Sequence, residues 1–183
     1  MEVSFYNQDE IKQIGFKTYG ENVLISRKSS IYEPGKISLG SNLRIDDFCI
    51  LSGEIKIGSY VHISAYTALY AKFGIIVEDF VTISGRNLIY SQTDDYSGTF
   101  MTNPTLPKHL INVTGGRVII KKFAIIAAGC VVFPGITIHE GAATGTMSLV
   151  NKDLEPWKIY AGIPAKFIKN RKKDLLKLSQ TII

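Results

Sequence analysis

Aliphatic side chains recur at every sixth residue over most of this chain, and that period narrows what it can fold into. One block reads Ile45, Leu51, Ile57, Ile63 and Leu69, then after a two-residue slip Val77, Ile83 and Ile89; a second reads Ile120, Ile126, Val132, Ile138, Thr144 and Val150. Thirteen of these fourteen positions are Val, Ile or Leu. The 49 such residues among 183 would supply about four by chance, so structure imposes the period. Two positions earlier stands a second, smaller set: Leu43, Cys49, Ile55, Val61 and Thr67, then Ile75, Val81 and Asn87, then Val118, Ala124, Cys130, Ile136, Ala142 and Ser148. A spacing of two puts both sets on the same face of a short strand. Turn-forming pairs such as Asp46-Asp47, Gly58-Ser59, Glu78-Asp79 and Glu140-Gly141 separate the strands. Each unit is one strand and one turn, three units close a triangular coil, and stacked coils bury the columns along a common axis. The expected fold is an all-β parallel β-helix of roughly five coils.

A chain of 183 residues and 20.3 kDa suits a single domain. The expected division is an N-terminal cap at 1–34 with a short helix at 9–14, a β-helix at 35–165 interrupted by an extended loop at 91–117, and a C-terminal helix at 166–183. In that last piece Leu175, Leu176 and Leu178 offer an apolar stripe to cap the open end. Hydrophobic residues at 45% and charged ones at 20% exclude a disordered chain. The most apolar stretch, 123–138, is broken by Gly129 and Pro134-Gly135 and falls short of the roughly 18 to 20 residues a membrane helix needs. The N-terminus lacks a basic segment followed by an apolar run, so a cytoplasmic location is expected. Cys49 and Cys130 match no CxxC or metal-ligand spacing and read as two small buried thiols.

Net charge is +5, and its distribution is uneven. Eight basic residues face three acidic ones between positions 151 and 177, while the remainder balances at 13 against 13. A solvated helix face, a nucleic-acid patch and a local site for a phosphorylated ligand all fit such a cluster. The 27-residue excursion at 91–117 points to function, because long structureless loops are uncommon in compact domains. At its entry the paired carboxylates Asp94 and Asp95, flanked by hydroxyls, can orient an amine-bearing substrate or accept a proton.

The repeat, together with Val131-Val132-Phe133-Pro134-Gly135, Val150-Asn151-Lys152-Asp153 and Tyr160-Ala161-Gly162-Ile163-Pro164-Ala165-Lys166, resembles the hexapeptide-repeat acyltransferases over about residues 35 to 170. The resemblance implies a left-handed β-helix, a homotrimer with sites between adjacent subunits, an acyl-CoA such as acetyl-CoA as co-substrate, and no metal. It implies that the last coils bind coenzyme A: Ala127, Ala128, Gly145 and Thr146 leave room for the pantetheine arm, Pro164 shapes the turn, and Lys152, Lys166 and Lys169 face phosphates. The basic cluster then needs no nucleic acid to explain it.

Relatives that acetylate hydroxyls commonly place a histidine base at the start of the loop, and none stands here. His62 lies within a repeat, His109 late in the loop and His139 at a turn. A hydroxyl must lose its proton as it attacks a thioester, whereas an uncharged amine attacks readily and sheds its proton afterwards. Arg44-Ile45-Asp46-Asp47-Phe48, Tyr90-Ser91, Asp94-Asp95-Tyr96-Ser97-Gly98 and Thr102-Asn103-Pro104 are most similar to the N-acyltransferases of dTDP-4-amino-4,6-dideoxyglucose in the viosamine and anthrose pathways. This implies N-acylation, N-acetylation foremost, of a dTDP-linked amino sugar for O-antigen or surface polysaccharide. By the same resemblance Asp94 holds the sugar amine and takes up its proton, with Asp95 the competing candidate, and Ser84 either hydrogen-bonds the amine or relays the proton towards the leaving thiolate. Arg86 pairs with a pyrophosphate, Tyr90 or Tyr96 stacks on base or sugar, and Asn103 joins the substrate side. Asp46 and Asp47 stand as further substrate contacts or as ordinary turn carboxylates, and a backbone N–H near Ala127 or Ala128 meets the oxyanion. An O-acetyltransferase for a sugar or glycan and a non-catalytic β-helix binding module are the alternatives. Acyl length, sugar and nucleotide stay open at this level.

Overall fold

Once a coil closes on itself, its unpaired backbone groups can be satisfied only by the coil above and the coil below. In the computed structural model, which describes residues 4–182, seven strands stack in parallel on one face: Val23–Ile25, Leu43–Ile45, His62–Ile63, Thr82–Ile83, Ile125–Ile126, Ala143–Thr144 and Lys158–Ala161. A second face stacks Ser30–Tyr32, the starts of Ile50–Ile57 and Ala68–Val77, Leu88–Tyr90, Val131–Val132 and Leu149–Val150. The third carries Ile37–Leu39, the ends of those two long strands, Val118–Ile120 and Thr137–Ile138. The fold is an all-β left-handed parallel β-helix. Inward columns such as Ile45, Ile63, Ile83 and Ile126 are fully buried along its axis.

The coil count and two boundaries differ from expectation. There are seven coils on the first face where about five were expected, and the solenoid begins at Val23 rather than 35. Ile25 and Ile31 keep the six-residue period, but the 3-10 turn Pro34–Lys36 delays the next member to Leu39 and hides the continuity. The expected C-terminal helix at 166–183 is replaced by a strand, Lys166–Asn170, antiparallel to Lys158–Ala161, and only Leu175–Ser179 is helical. Residues 166–173 lack an apolar stripe at helical spacing, and the antiparallel strand satisfies a sheet edge that no further parallel coil covers. Leu178, an expected cap residue, is 68% exposed. The N-terminal helix Gln8–Ile14 is present, held by an Asn7/Glu10 capping box, and Glu10 also receives two hydrogen bonds from Arg27 at 2.7 and 2.6 Å. Residues 1–3 and 183 of the two terminal pieces lie outside the described residues.

Between the second and third faces of the fourth coil the loop leaves through a closed neck, where Gln92–Thr93 pairs antiparallel with Thr114–Gly115. Another corner, before the first face, carries Tyr60, Phe80, Phe123 and Trp157 in the left-handed backbone region. That conformation costs a bulky residue about 1–2 kcal/mol. The rings stack outside the coil at 4.9, 5.1 and 6.3 Å between centroids, which offsets part of it. Gly141 occupies this corner between Phe123 and Trp157, and a Cβ there would lie 2.4 Å from the indole. Arg171 closes the stack by donating to the carbonyls of Phe123 and Gly141 at 2.7 and 2.9 Å. Replacing Gly141 with Ala should therefore lower stability by about 2–4 kcal/mol in urea denaturation, combining overpacking with a strained turn; an unchanged midpoint would contradict this packing.

Candidate active site

The corner between the first and second faces repeats one turn geometry in five successive coils. Asp46-Asp47-Phe48, Ser64-Ala65-Tyr66, Ser84-Gly85-Arg86, Ala127-Ala128-Gly129 and Gly145-Thr146-Met147 lie in register there. In each step the third residue's N–H donates to the carbonyl of the second residue one coil earlier, at 2.9–3.1 Å: Tyr66 to Asp47, Arg86 to Ala65, Gly129 to Gly85 and Met147 to Ala128. The stacking thus places Ser84 next to Ala127 and puts Gly145 beyond it. Gly162 and Pro164 follow at the same corner, where the Leu149 and Ala165 amides bond to Gly162 and Leu149 carbonyls. Of the residues expected to hold a coenzyme, Ala127, Ala128, Gly145, Thr146 and Pro164 share this corner, and Lys166 stands at its edge at the start of the return strand. Lys169 lies further along that strand, opposite Ile159. Lys152 is not brought to this corner in one chain, because the strand Leu149–Val150 stands between it and Gly145.

The Ser84 hydroxyl makes no hydrogen bond among the described residues, while its carbonyl accepts from Asn87 Nδ2 at 2.6 Å and Thr67 Oγ1 at 3.0 Å. The two candidate oxyanion amides separate. Ala127 N–H donates to Thr144 Oγ1 at 2.9 Å, which leaves Ala128 N–H without a partner among the described residues. Arg86 adopts the left-handed backbone at this turn and is exposed.

The loop carboxylates also separate. Asp95 accepts from the Ser97 N–H at 2.7 Å and from Asn112 Nδ2 at 3.3 Å, and the Ser97 hydrogen bonds hold its pKa below the ordinary value. Asp94 is exposed and its carboxylate bonds to nothing among the described residues. Asn103 is engaged by Thr105, whose N–H and hydroxyl donate to it at 2.9 and 2.7 Å, so its side-chain oxygen braces a turn. Tyr90 stacks on Tyr70 at 5.2 Å, with burial first among the causes that raise its hydroxyl pKa, and Tyr96 stands 89% exposed on the loop. Ser84 precedes the strand Leu88–Tyr90, about 10 Å long, and Asp94 follows it at the start of the loop.

The turn carboxylates two coils below Ser84 have structural partners. Asp46 accepts from Arg44 Nε at 2.7 Å and faces His62 Nε2 at 2.8 Å, with Ser64 Oγ 3.4 Å from the same ring nitrogen; Asp47 takes Ser26 and Lys28. The sequence separation of 16 between Asp46 and His62, one coil less a strand step, is the signal that could have found this cluster. His109 sits in the exposed 3-10 turn Lys108–Leu110, and His139 is half-buried at a coil corner.

No family model matches the chain. It is 43% identical over 179 residues to the dTDP-4-amino-4,6-dideoxy-D-glucose acyltransferase of Escherichia coli, covering 96% of this chain and 93% of that protein. Among solved structures it is similar to AntD, an N-acyltransferase from Bacillus cereus. The S84C variant of AntD, bound to dTDP-4-amino-4,6-dideoxyglucose and coenzyme A, superposes with a TM-score of 0.96 at 50% identity, covering 100% of this chain and 98% of that one. AntD with dTDP and 3-hydroxybutyryl-CoA gives 0.95 at 52% identity, covering 98% and 96%, and a D94N variant of AntD has also been solved with dTDP and coenzyme A.

Burial raises the Asp46 pKa, but the hydrogen bonds from Arg44 and His62 outweigh it and leave the group below its ordinary value. A carboxylate lowered on folding stabilises the fold above its unfolded pKa, near 3.9, and that contribution fades as pH falls through the lower folded value. In urea titrations between pH 6 and 2 the stability gap between wild type and Asp46→Asn should hold down to about pH 4 and then narrow. A constant gap would mean that the Asp46 charge contributes nothing.

Proposed function

The chain belongs to the dTDP-4-amino-4,6-dideoxyglucose acyltransferases, and from that footing we propose that Asp94 and Ser84 serve its reaction from two neighbouring subunits. The enzyme is an acyl-CoA-dependent N-acyltransferase acting on the amine of a dTDP-linked amino sugar, with acyl-CoA as co-substrate. The division of labour in the loop pair carries the residue assignment. Asp95 is spent on holding the loop, and Asp94 presents a free carboxylate. Support also comes from the numbers at which AntD has been varied, 84 and 94, where this chain likewise carries serine and aspartate.

In this reading Asp94 accepts a hydrogen bond from the sugar amine and turns its lone pair on the thioester carbonyl. The C–N bond forms first, giving a tetrahedral intermediate whose oxyanion then expels sulfur, so one proton must leave nitrogen and one must reach sulfur. Asp94 takes up the first, the unengaged Ser84 hydroxyl relays it to sulfur, and Ala128 N–H meets the developing oxyanion. Arg86 and Lys166 flank the corner as partners for phosphates, and Tyr90 and Tyr96 remain on the substrate side. An amine nucleophile asks for no strong base, in keeping with a loop entry that lacks histidine.

A homotrimer completes the reading, because it lets the loop of one chain approach the Ser84 corner of the next. Its support is an outward apolar ladder in register across five coils, Ile50, Ala68, Leu88, Val131 and Leu149, beside the stacked Tyr70 and Tyr90. That face is apolar on both sides, as a strand covered by a partner would be. No helix among the described residues is long and apolar enough to cross a membrane. A cytoplasmic location and a role in O-antigen or surface polysaccharide assembly belong to the same reading.

Thiol release from acetyl-CoA and from 3-hydroxybutyryl-CoA, each offered dTDP-4-amino-4,6-dideoxyglucose, its 4-hydroxy counterpart or a free galactoside, should occur with the amine alone. Release only with a hydroxyl acceptor would overturn N-acylation. Asp94→Asn should lower kcat by about a hundredfold with coenzyme A binding retained, whereas Lys166→Ala should mainly raise KM for the acyl-CoA. Full turnover in Asp94→Asn would remove Asp94 from the mechanism. Sedimentation should give three times the 20.3 kDa chain mass, and Leu88→Glu with Val131→Glu should dissociate the assembly and abolish turnover together. A monomeric wild type with full activity would exclude the shared site.

A further inference from the structure

Just past the Ser84 corner the aliphatic columns are interrupted by buried polar groups at Cys49, Thr67, Asn87, Cys130 and Ser148. Most hold a turn carbonyl with a single donor: Ser148 Oγ reaches Gly145 O at 2.8 Å, and Cys130 Sγ reaches the same atom at 3.2 Å. Asn87 is the one carboxamide in this column, fully buried, and it uses both arms. Its Nδ2 donates to Ser84 O at 2.6 Å, while its Oδ1 accepts from Cys130 N at 2.7 Å, in the coil above. Its own N–H leans on Thr67 Oγ1 at 3.4 Å, and that hydroxyl donates to Ser84 O as well.

The junction Asn87 spans is unlike the others. Neighbouring coils elsewhere follow one another by about 20 residues, as Thr67 and Asn87 do, but the coil of Ser84 and the coil of Ala127 are separated by the loop, and Asn87 and Cys130 stand 43 residues apart. Chain connectivity therefore does little to fix the two coils against each other. Backbone bonds from Gly129 N to Gly85 O and from Leu88 N to Cys130 O, both 3.0 Å, cross the same gap, and between them the Cys130 N–H is satisfied by the Asn87 side chain.

We infer that Asn87 is a positioning residue: sealed in the core, it fixes the Ser84 turn against the Ala127-Ala128-Gly129 turn and so sets the hydroxyl's distance from the reacting thioester. This rests on the reading of Ser84 and of that corner given above. A hydroxyl in place of the carboxamide can keep the Ser84 carbonyl bond, as Ser148 does for Gly145, and lose only the Cys130 link. Truncation to Ala loses both.

The test is a double-mutant cycle on the full-length enzyme with amine acceptor and acyl-CoA. Asn87→Ala should lower kcat by about ten- to a hundredfold with KM for acyl-CoA within twofold, because a misplacement near one ångström is costly for turnover and not for binding. In a Ser84→Ala background the same change should cost less than about twofold, since its effect passes through Ser84. Asn87→Ser should recover more than half of the loss. If the losses from Asn87→Ala and Ser84→Ala multiply, or if Asn87→Ala lowers Tm and leaves kcat intact, the positioning role is wrong. Ser84→Ala by itself reports on the catalytic reading separately: full turnover there refutes Ser84 whatever Asn87 does. Should Asn87→Ala not fold, Asn87→Cys, the residue already present in this column at Cys49 and Cys130, takes its place with the same expectations.

Discussion

Everything in this molecule hangs on the pairing of each coil's backbone with the coil one step above, at a single rise set by the hydrogen-bond spacing between strands. Because the rise is fixed, any side chain at a given turn position stands in line with its counterparts in every other coil. Aliphatic residues pointing inward become continuous columns, aromatic residues at one corner become a stack, and polar residues at another become a line of functional groups. Local strain is tolerated where the line offsets it. Phe80 and Phe123 would be poor choices for a left-handed turn in isolation, and they are supported here by the rings on either side.

The same regularity explains why the groups proposed to react, Ser84 and Asp94, lie on either side of one strand. A solenoid of this narrow section fills its interior with Ile, Leu and Val, so no site can lie inside the coils. Concavity has to come from an excursion of the chain or from a second copy, and this chain has the means for both. The loop leaves through a two-stranded neck that fixes its direction, and the apolar ladder at Leu88 and Val131 lies between the neck and the Ser84 corner. A partner seated on that ladder is brought up to both halves of the site.

Chemistry is divided along equally physical lines. Two adjacent carboxylates need not share a task, and here hydrogen bonds separate them: Ser97 and Asn112 commit Asp95 to the loop, while the Asp94 carboxylate has no partner among the described residues. Asp46 and His62, which as isolated residues suggest acid–base work, are committed to each other and to Arg44. At the Ser84 corner the Ser84 hydroxyl and the Ala128 N–H are among the groups without a partner among the described residues.

The period of six was enough by itself to specify a β-helix, to place the loop and to list the columns, because periodicity is a local property of the chain that survives any amount of bending. The small residues at Ala127, Ala128, Gly145 and Thr146 and the turn at Pro164 came instead from the family resemblance, and the stacking gathers them at one corner. Coil number was not: the extra residues around Pro34–Lys36 shift the phase, and only the pairing of Ile31 with Leu51 and of Leu39 with Ile57 reveals the first coil. Nor could the fate of residues 166–173 be read, because a charged segment becomes a strand only when a sheet edge is there to receive it. Which of Asp94 and Asp95 is free, which of two amides is unpaired, and that Asn87 bridges two coils across a 43-residue gap were decided by tertiary structure alone. Those facts concern hydrogen-bond partners distant in sequence, and a partner is set by where the coils stack rather than by what stands next to a residue in the chain.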